Sequence, residues 1–230
     1  MADPTTDPSD ASTGTGPGAG AVRETRQRDA ERSRRLILQA ARQSFAEHGL
    51  AGTRLDAVAQ LAGVDKRLVY YYFKNKEGLF LEVLLDAISH IREQEKHLKL
   101  LELEPVEAIR TLIRFSWDYY LRHPEFIRLI NTENLYRARH LSRSDGVQNI
   151  SRPLVEVLGT ILERGRSEGV FRGGVDPLQL YLSMVGLTYY YIANQYTLSN
   201  MFRRDLMTPR AQAERLSHVT DVILGYLLRG

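Results

Sequence analysis

At 230 residues, 43% hydrophobic and 26% charged, the chain is long enough for one large or two small globular domains with an ordinary apolar core. It has no cysteine, which excludes disulfides and thiolate metal sites, and no apolar run long enough for a membrane span or a secretory signal, so a cytoplasmic protein is expected. The net charge of +3 is unevenly spread: residues 1–20 carry three Asp and no Lys or Arg, residues 21–76 carry twelve Lys/Arg against six Asp/Glu, and the remainder balances.

A positive excess confined to about a quarter of the chain is the footprint of a nucleic-acid contact, although a charge run alone is also what a solvated face looks like. Residues 1–20 hold Gly, Pro, Ser, Thr and Ala with no large apolar side chain, and such a segment is expected to stay disordered. Arginines follow at Arg23, Arg26, Arg28, Arg32, Arg34 and Arg35. The earlier ones read as a loose basic end of the tail, the last two as part of the first helix.

From about residue 30 the pattern is helical throughout. Leu36, Ile37, Ala40, Ala41 and Phe45 recur at three- and four-residue steps until Gly49 stops the run. Thr53 stands where a helix N-cap belongs, with Asp56 three residues on, and Leu55, Val58, Ala59 and Ala62 form the next apolar face, ended by Gly63. A short third helix is expected from Lys66 to Tyr72, and a longer one from Lys76, capped by Asn75, with Leu79, Val83, Leu84, Ala87, Ile88 and Ile91 inward.

Downstream, Pro105, Pro124, Pro153, Pro177 and Pro209 fall close to helix starts. Helical spacing continues through Ala108–Tyr119, Leu154–Leu162 and Leu180–Tyr191, and no alternating β-branched run bounded by hairpin dipeptides occurs. The expected fold is all-α: a three-helix head over 29–75, preceded by a tail over 1–28, and a helical bundle over 76–230.

Two short helices joined by a glycine turn inside the basic region form a helix-turn-helix candidate. In LDAVAQLAGVDKRLVYYYFKNKEGL, Ala59 permits close helix approach, Gly63 the turn, and Asp65 a cap for the second helix. Val69 and Phe73 point inward, which leaves Lys66, Arg67, Leu68, Tyr70 and Tyr71 more exposed. Together with the upstream FAEHG and Thr53, this segment resembles the tetracycline-repressor (TetR) family of regulators over residues 30–80.

The resemblance implies that Thr53 and Arg54 meet a phosphate at the second helix. Lys66, Arg67 and Leu68 would open a recognition helix toward base edges, Tyr70 and Tyr71 would touch the backbone, and Lys76 would bind a phosphate at the next helix N-terminus. Arg67 and Leu68 replace the small pair common in the family, and Gly78 departs too, weakening its helix by about 1 kcal/mol relative to Ala.

The segment FSWDYYLRHPEFIRLINTENLYRARHL resembles the C-terminal domain of a subgroup that includes regulators of aromatic and nitrogen-heterocycle catabolism. This implies a homodimer on palindromic operator DNA, released by a small, planar or aromatic inducer, with no other cofactor and no metal. Candidate ligand contacts are Trp117, Tyr120, Asn134, Arg137, Tyr190 and Asn194; an aromatic stripe at this spacing is more often a sign of core packing. Candidate dimer contacts are Leu154, Leu158 and Ile161 on one helix and Leu180, Met184, Leu187 and Tyr191 on another.

An enzyme is a poor reading. The six histidines are scattered, His90, Glu93 and His97 lack the spacing that sets two imidazoles on one metal, and there is no nucleophile elbow, phosphate loop or dinucleotide fingerprint. The remaining rival is a nucleoid-type DNA binder without a ligand, which binds with steep salt dependence but little sequence preference.

Overall fold

The computed structural model describes residues 19–144 and 146–228; the disorder expected for residues 1–18 lies outside it, whereas residues 19–28, expected as the loose end of the tail, are helical. Among the described residues ten α-helices follow one another: α1 Ala19–Gly52, α2 Leu55–Ala62, α3 Lys66–Phe73, α4 Lys76–Lys96, α5 Pro105–Arg122, α6 Pro124–Leu135, α7 Gly146–Ser167, α8 Pro177–Ala193, α9 Gln195–Met201 and α10 Pro209–Leu227. Among the described residues no strand forms; a single bridge pairs Phe171 with Leu228. The all-α expectation holds, and no helix of the described residues is long and apolar enough to cross a membrane.

α1 begins well before residue 30, because apolar periodicity is not the only thing that makes a helix. The stretch RQRDAERSRR, rich in residues of high helix propensity such as Arg, Gln and Glu, continues the helix with its side chains largely in solvent. Periodicity marks only where α1 acquires a buried face, from Ile37 onward. Gly49, at φ 67°, then kinks the end of the helix.

Prolines 105, 124, 177 and 209 sit in the first turns of α5, α6, α8 and α10, where no N–H is required. Pro153 differs. It lies inside α7 and so withholds from the Asn149 carbonyl its usual i+4 donor.

Two apolar clusters organise the chain. One gathers Ile37, Ala41 and Phe45 of α1, Val58 of α2, Val69 and Phe73 of α3, then Leu79, Phe80 and Val83 of α4, and runs on to Tyr120, Phe126 and Leu129 of α5 and α6. The other joins α5, α7, α8 and α10 through Ile109, Leu112, Leu158, Ile161, Met184 and Ile223. Phe80 is fully buried and meets Phe45 edge-on at 5.1 Å, a ring burial worth about 2–3 kcal/mol. The head therefore closes its core with α4 side chains beyond residue 75. Arg34–Glu82 and Arg42–Asp86 ion pairs add polar ties between α1 and α4.

Candidate nucleic-acid interface and effector domain

α2 and α3 meet through a turn that only glycine fits easily. Gly63 caps α2 in the left-handed region, at φ 65° and ψ 33°, and its N–H reaches back to the Ala59 and Gln60 carbonyls. Asp65 then caps α3, its Oδ1 accepting from the Arg67 N–H at 2.7 Å. Val69 and Phe73 are buried, which fixes the rotation of α3 and turns Lys66, Arg67, Tyr70 and Tyr71 outward. Tyr71 is 78% exposed, its ring meeting that of Tyr72 edge-on at 5.1 Å. Leu68 is half-buried and leans on the head core, with only part of its surface outward.

α4 starts as expected, with Asn75 Oδ1 accepting from the Gly78 N–H at 2.7 Å. Gly78 has a positive reason to be glycine. A Cβ there would stand 2.4 Å from the Phe73 carbonyl oxygen, so the tight junction of α3 and α4 excludes any side chain. The cost in helix propensity is the condition of that close approach.

Around the mouth of this junction, Thr53, Arg54, Asp56, Lys66, Tyr70 and Lys76 border a shallow depression of about 400 Å³. Arg54 and Arg67 are exposed. Lys66 pairs with Asp56 at 2.6 Å, and the Asp56 hydrogen bond and charge hold its ammonium more firmly protonated than usual. The Lys76 ammonium donates to the carbonyls of Ala51 at 3.2 Å and Thr53 at 3.3 Å, tying the start of α4 to the α1–α2 turn.

Two expectations for the head need correction. Thr53 is neither the cap of α2 nor an outward contact. Its hydroxyl donates to the Ser44 and Gly49 carbonyls, it is 2% exposed, and Arg54 occupies the cap position without a side-chain bond. Asp56 does not complete a capping box because it pairs with Lys66 instead. Arg34 is also committed inward, to Glu82 and over the Phe73 ring at 5.5 Å.

In the bundle, the expected ligand residues do not converge. Trp117 and Tyr120 are buried among other rings: Trp117 lies 5.5 Å from Tyr191, and Tyr120 stacks at 6.0 Å on Phe126. Desolvation pushes the Tyr120 phenol far above its ordinary range, so it stays neutral. Asn134 and Arg137 are exposed, with the Asn134 amide spent on the Ile130 carbonyl. Tyr190 faces outward from α8, and Asn194 donates to the Tyr190 carbonyl. A cavity of about 540 Å³ lies elsewhere, between α4, the 3-10 turn Leu100–Glu102 and α7.

The expected dimer residues are also corrected. Leu154, Leu158, Ile161, Leu180 and Met184 are buried within one chain, where α5, α7, α8 and α10 pack together, so they are unavailable to a second copy. Leu187 is half-buried, and Tyr191 bonds the Leu206 carbonyl at 2.7 Å. The outward stripe is instead Leu178, Leu182 and Tyr190 of α8 with Val222 and Tyr226 of α10.

Arg92, Glu95 and Tyr181 also escaped the sequence reading. Glu95 follows Leu84, Ile88 and Ile91 on the core-facing side of α4, and a carboxylate at an apolar register was the available signal.

An outward basic and aromatic helix on a glycine turn, joined by a long helix to a bundle, defines a helix-turn-helix regulator. Comparison with known proteins agrees at every level. Residues 37–83 match the family model described as bacterial regulatory proteins, tetR family, and residues 105–223 match the tetracyclin repressor-like C-terminal domain. The HTH-type transcriptional repressor NicS of Pseudomonas putida is 37% identical over 204 residues, covering 89% of this chain and 96% of that protein. The HTH-type transcriptional regulator RutR of Escherichia coli is 35% identical over 118 residues, covering 50% of this chain and 55% of its own. The fatty acid degradation regulator FadR from Bacillus halodurans shares the fold with a TM-score of 0.64 at 18% identity, over 82% of this chain and 93% of that one. The chain belongs to the TetR family of DNA-binding transcriptional regulators.

Proposed function

We propose that this regulator is a repressor that binds a palindromic operator as a homodimer and leaves it when a small molecule occupies its bundle. The observation that carries this reading is α3, held by two buried side chains so that Arg67, Tyr70 and Tyr71 project outward. Arg67 is the candidate for bidentate guanine contact, with the outward part of Leu68 beside it. Arg54, Lys66, Tyr70 and Tyr71 are candidates for the phosphate backbone. Lys76 supports the same surface by holding the α1–α2 turn, with one ammonium hydrogen left for a phosphate.

Dimerisation is assigned to the outer faces of α8 and α10. Leu178, Leu182 and Tyr190 recur at helical spacing beside Val222 and Tyr226, and contiguous exposed apolar surface of this kind marks an interface. A twofold axis there would set two α3 helices toward successive major grooves, about 34–36 Å apart. We accordingly read residues 29–75 as the reading head and 76–230 as the effector and dimer domain. The protein is then a cytoplasmic regulator and not a catalyst.

Titration of the protein against DNA flanking its own gene, beside unrelated DNA and at several salt concentrations, tests the reading. Selective binding, by a factor of about 10³ or more, with one or more dimers per site is expected. Equal affinity for both fragments would favour a nucleoid-type binder and overturn it. Within that assay, Arg67→Ala is expected to relax preference at one base position, while Tyr70→Phe weakens all sequences alike.

A further inference from the structure

The cavity between α4, the Leu100–Glu102 turn and α7 lies at the end of α4 opposite the DNA-reading head, and nothing in that reading uses it. At about 540 Å³ it falls in the range of small-molecule sites, roughly 300–1,000 Å³. Leu100, Ile150, Leu154 and Val157 supply apolar wall.

The charges on the wall are already matched. Arg92 meets Glu95 at 2.5 Å, Lys96 meets Glu93 at 2.5 Å, and Lys99 meets Glu102 at 3.3 Å. An ionic guest would enter without a counter-charge and would lose its hydration for nothing in return.

Unused hydrogen-bonding capacity remains. Glu95 engages Arg92 through Oε2 alone, which leaves Oε1 as an acceptor. The Asn149 carbonyl lacks its usual donor because Pro153 follows four residues later. Two acceptors beside an apolar wall suit one neutral group that donates.

We propose that this cavity is the effector site and that it takes an uncharged, mainly apolar small molecule bearing a single amide-like or hydroxyl-like polar group. The inference rests on the effector-responsive repressor reading above. Glu95 is its positioning residue. The Arg92 guanidinium that holds Glu95 also donates to the Tyr181 hydroxyl of α8 at 2.8 Å, so an occupant drawing on Glu95 acts on α4, which carries the head, and on α8, which carries the proposed dimer face.

Three probes of one shape and different charge test this on the full chain: 2-naphthamide, 2-naphthoate and 2-naphthamidinium, each titrated by calorimetry. The amide is expected to bind at least about tenfold more tightly than either ion, and to weaken operator affinity by about fivefold or more, the usual scale of allosteric coupling. Val157→Trp, which fills the wall, is expected to abolish amide binding while circular dichroism stays unchanged. Leu101→Trp, at the exposed rim, gives the same reading should the first variant misfold.

Equal or tighter binding of an ion overturns the ligand class. Amide binding untouched by either tryptophan overturns the site. A protein that holds its operator selectively and ignores the amide defeats this inference alone, whereas loss of operator selectivity itself would sink the repressor reading beneath it.

Discussion

His90 sits on α4 with Nδ1 2.9 Å from the Tyr119 hydroxyl and its ring 5.4 Å from that of His123. Burial, then the neighbouring His123 and Arg42, push its pKa below the ordinary value near 6.5, against the weaker pull of Asp86 and Glu125. The folded state therefore resists protonation more than the unfolded chain does. Above about pH 7.5 both states are neutral and this group leaves stability untouched. As pH falls through about 6.5 the unfolded chain takes the proton first, and stability drops until the folded imidazole is protonated too. His90→Gln is expected to flatten the decline in melting temperature between pH 7.5 and 5.5. Parallel declines for the two proteins would show that another group sets the slope.

The connection from α6 to α7 is held in shape by one carboxylate. Glu133 Oε1 accepts from the backbone N–H groups of His140 and Leu141 at 2.8 and 2.9 Å, and Oε2 lies 2.6 Å from His140 Nδ1. Both side chains are almost fully buried, and the His140 ring stands edge-on to Phe80 at 5.1 Å, so the connection rests on the side chain that closes the head core. Arg137 and Ala138 take left-handed backbone at φ 58° and 56° to make the bend. Glu133→Ala leaves three buried groups without partners and is expected to cost about 3–5 kcal/mol in urea unfolding. Glu133→Gln, which keeps an acceptor for the backbone, should lose distinctly less; equal losses would show that shape alone matters.

Elements with one apolar face were legible in the sequence. The inward set of α4 and the caps at Asp65 and Asn75 are where spacing and capping chemistry place them. α8 was not legible in rotation, because LQLYLSMVGL is apolar on every side and no period separates core from outer face. The cavity escaped for another reason: its walls come from residues 89–102 and 149–157, and a gap between distant segments has no local signature. Thr53 was misread because the turn it stabilises folds back onto α1, a tertiary contact that outweighs its capping preference.

At the scale of the whole molecule, one exposed substitution tests the proposed dimer face. Leu182→Asp leaves the core residues Leu180 and Met184 untouched, so the chain is expected to fold but to sediment near 26.3 kDa instead of twice that, and to lose operator affinity with it. An unaltered dimer would move the interface away from α8. α4 then carries a mechanical consequence. Its 21 residues span about 31 Å, so a pivot of about 5° at the cavity end sweeps the head end by about 2.7 Å. With two arms opposed across a twofold axis, the gap between reading heads changes by about 5 Å against a groove repeat of about 34 Å. Displacements too small to disturb core packing are thereby geared up into a mismatch of pitch, and the length of α4 sets the gain of the whole device.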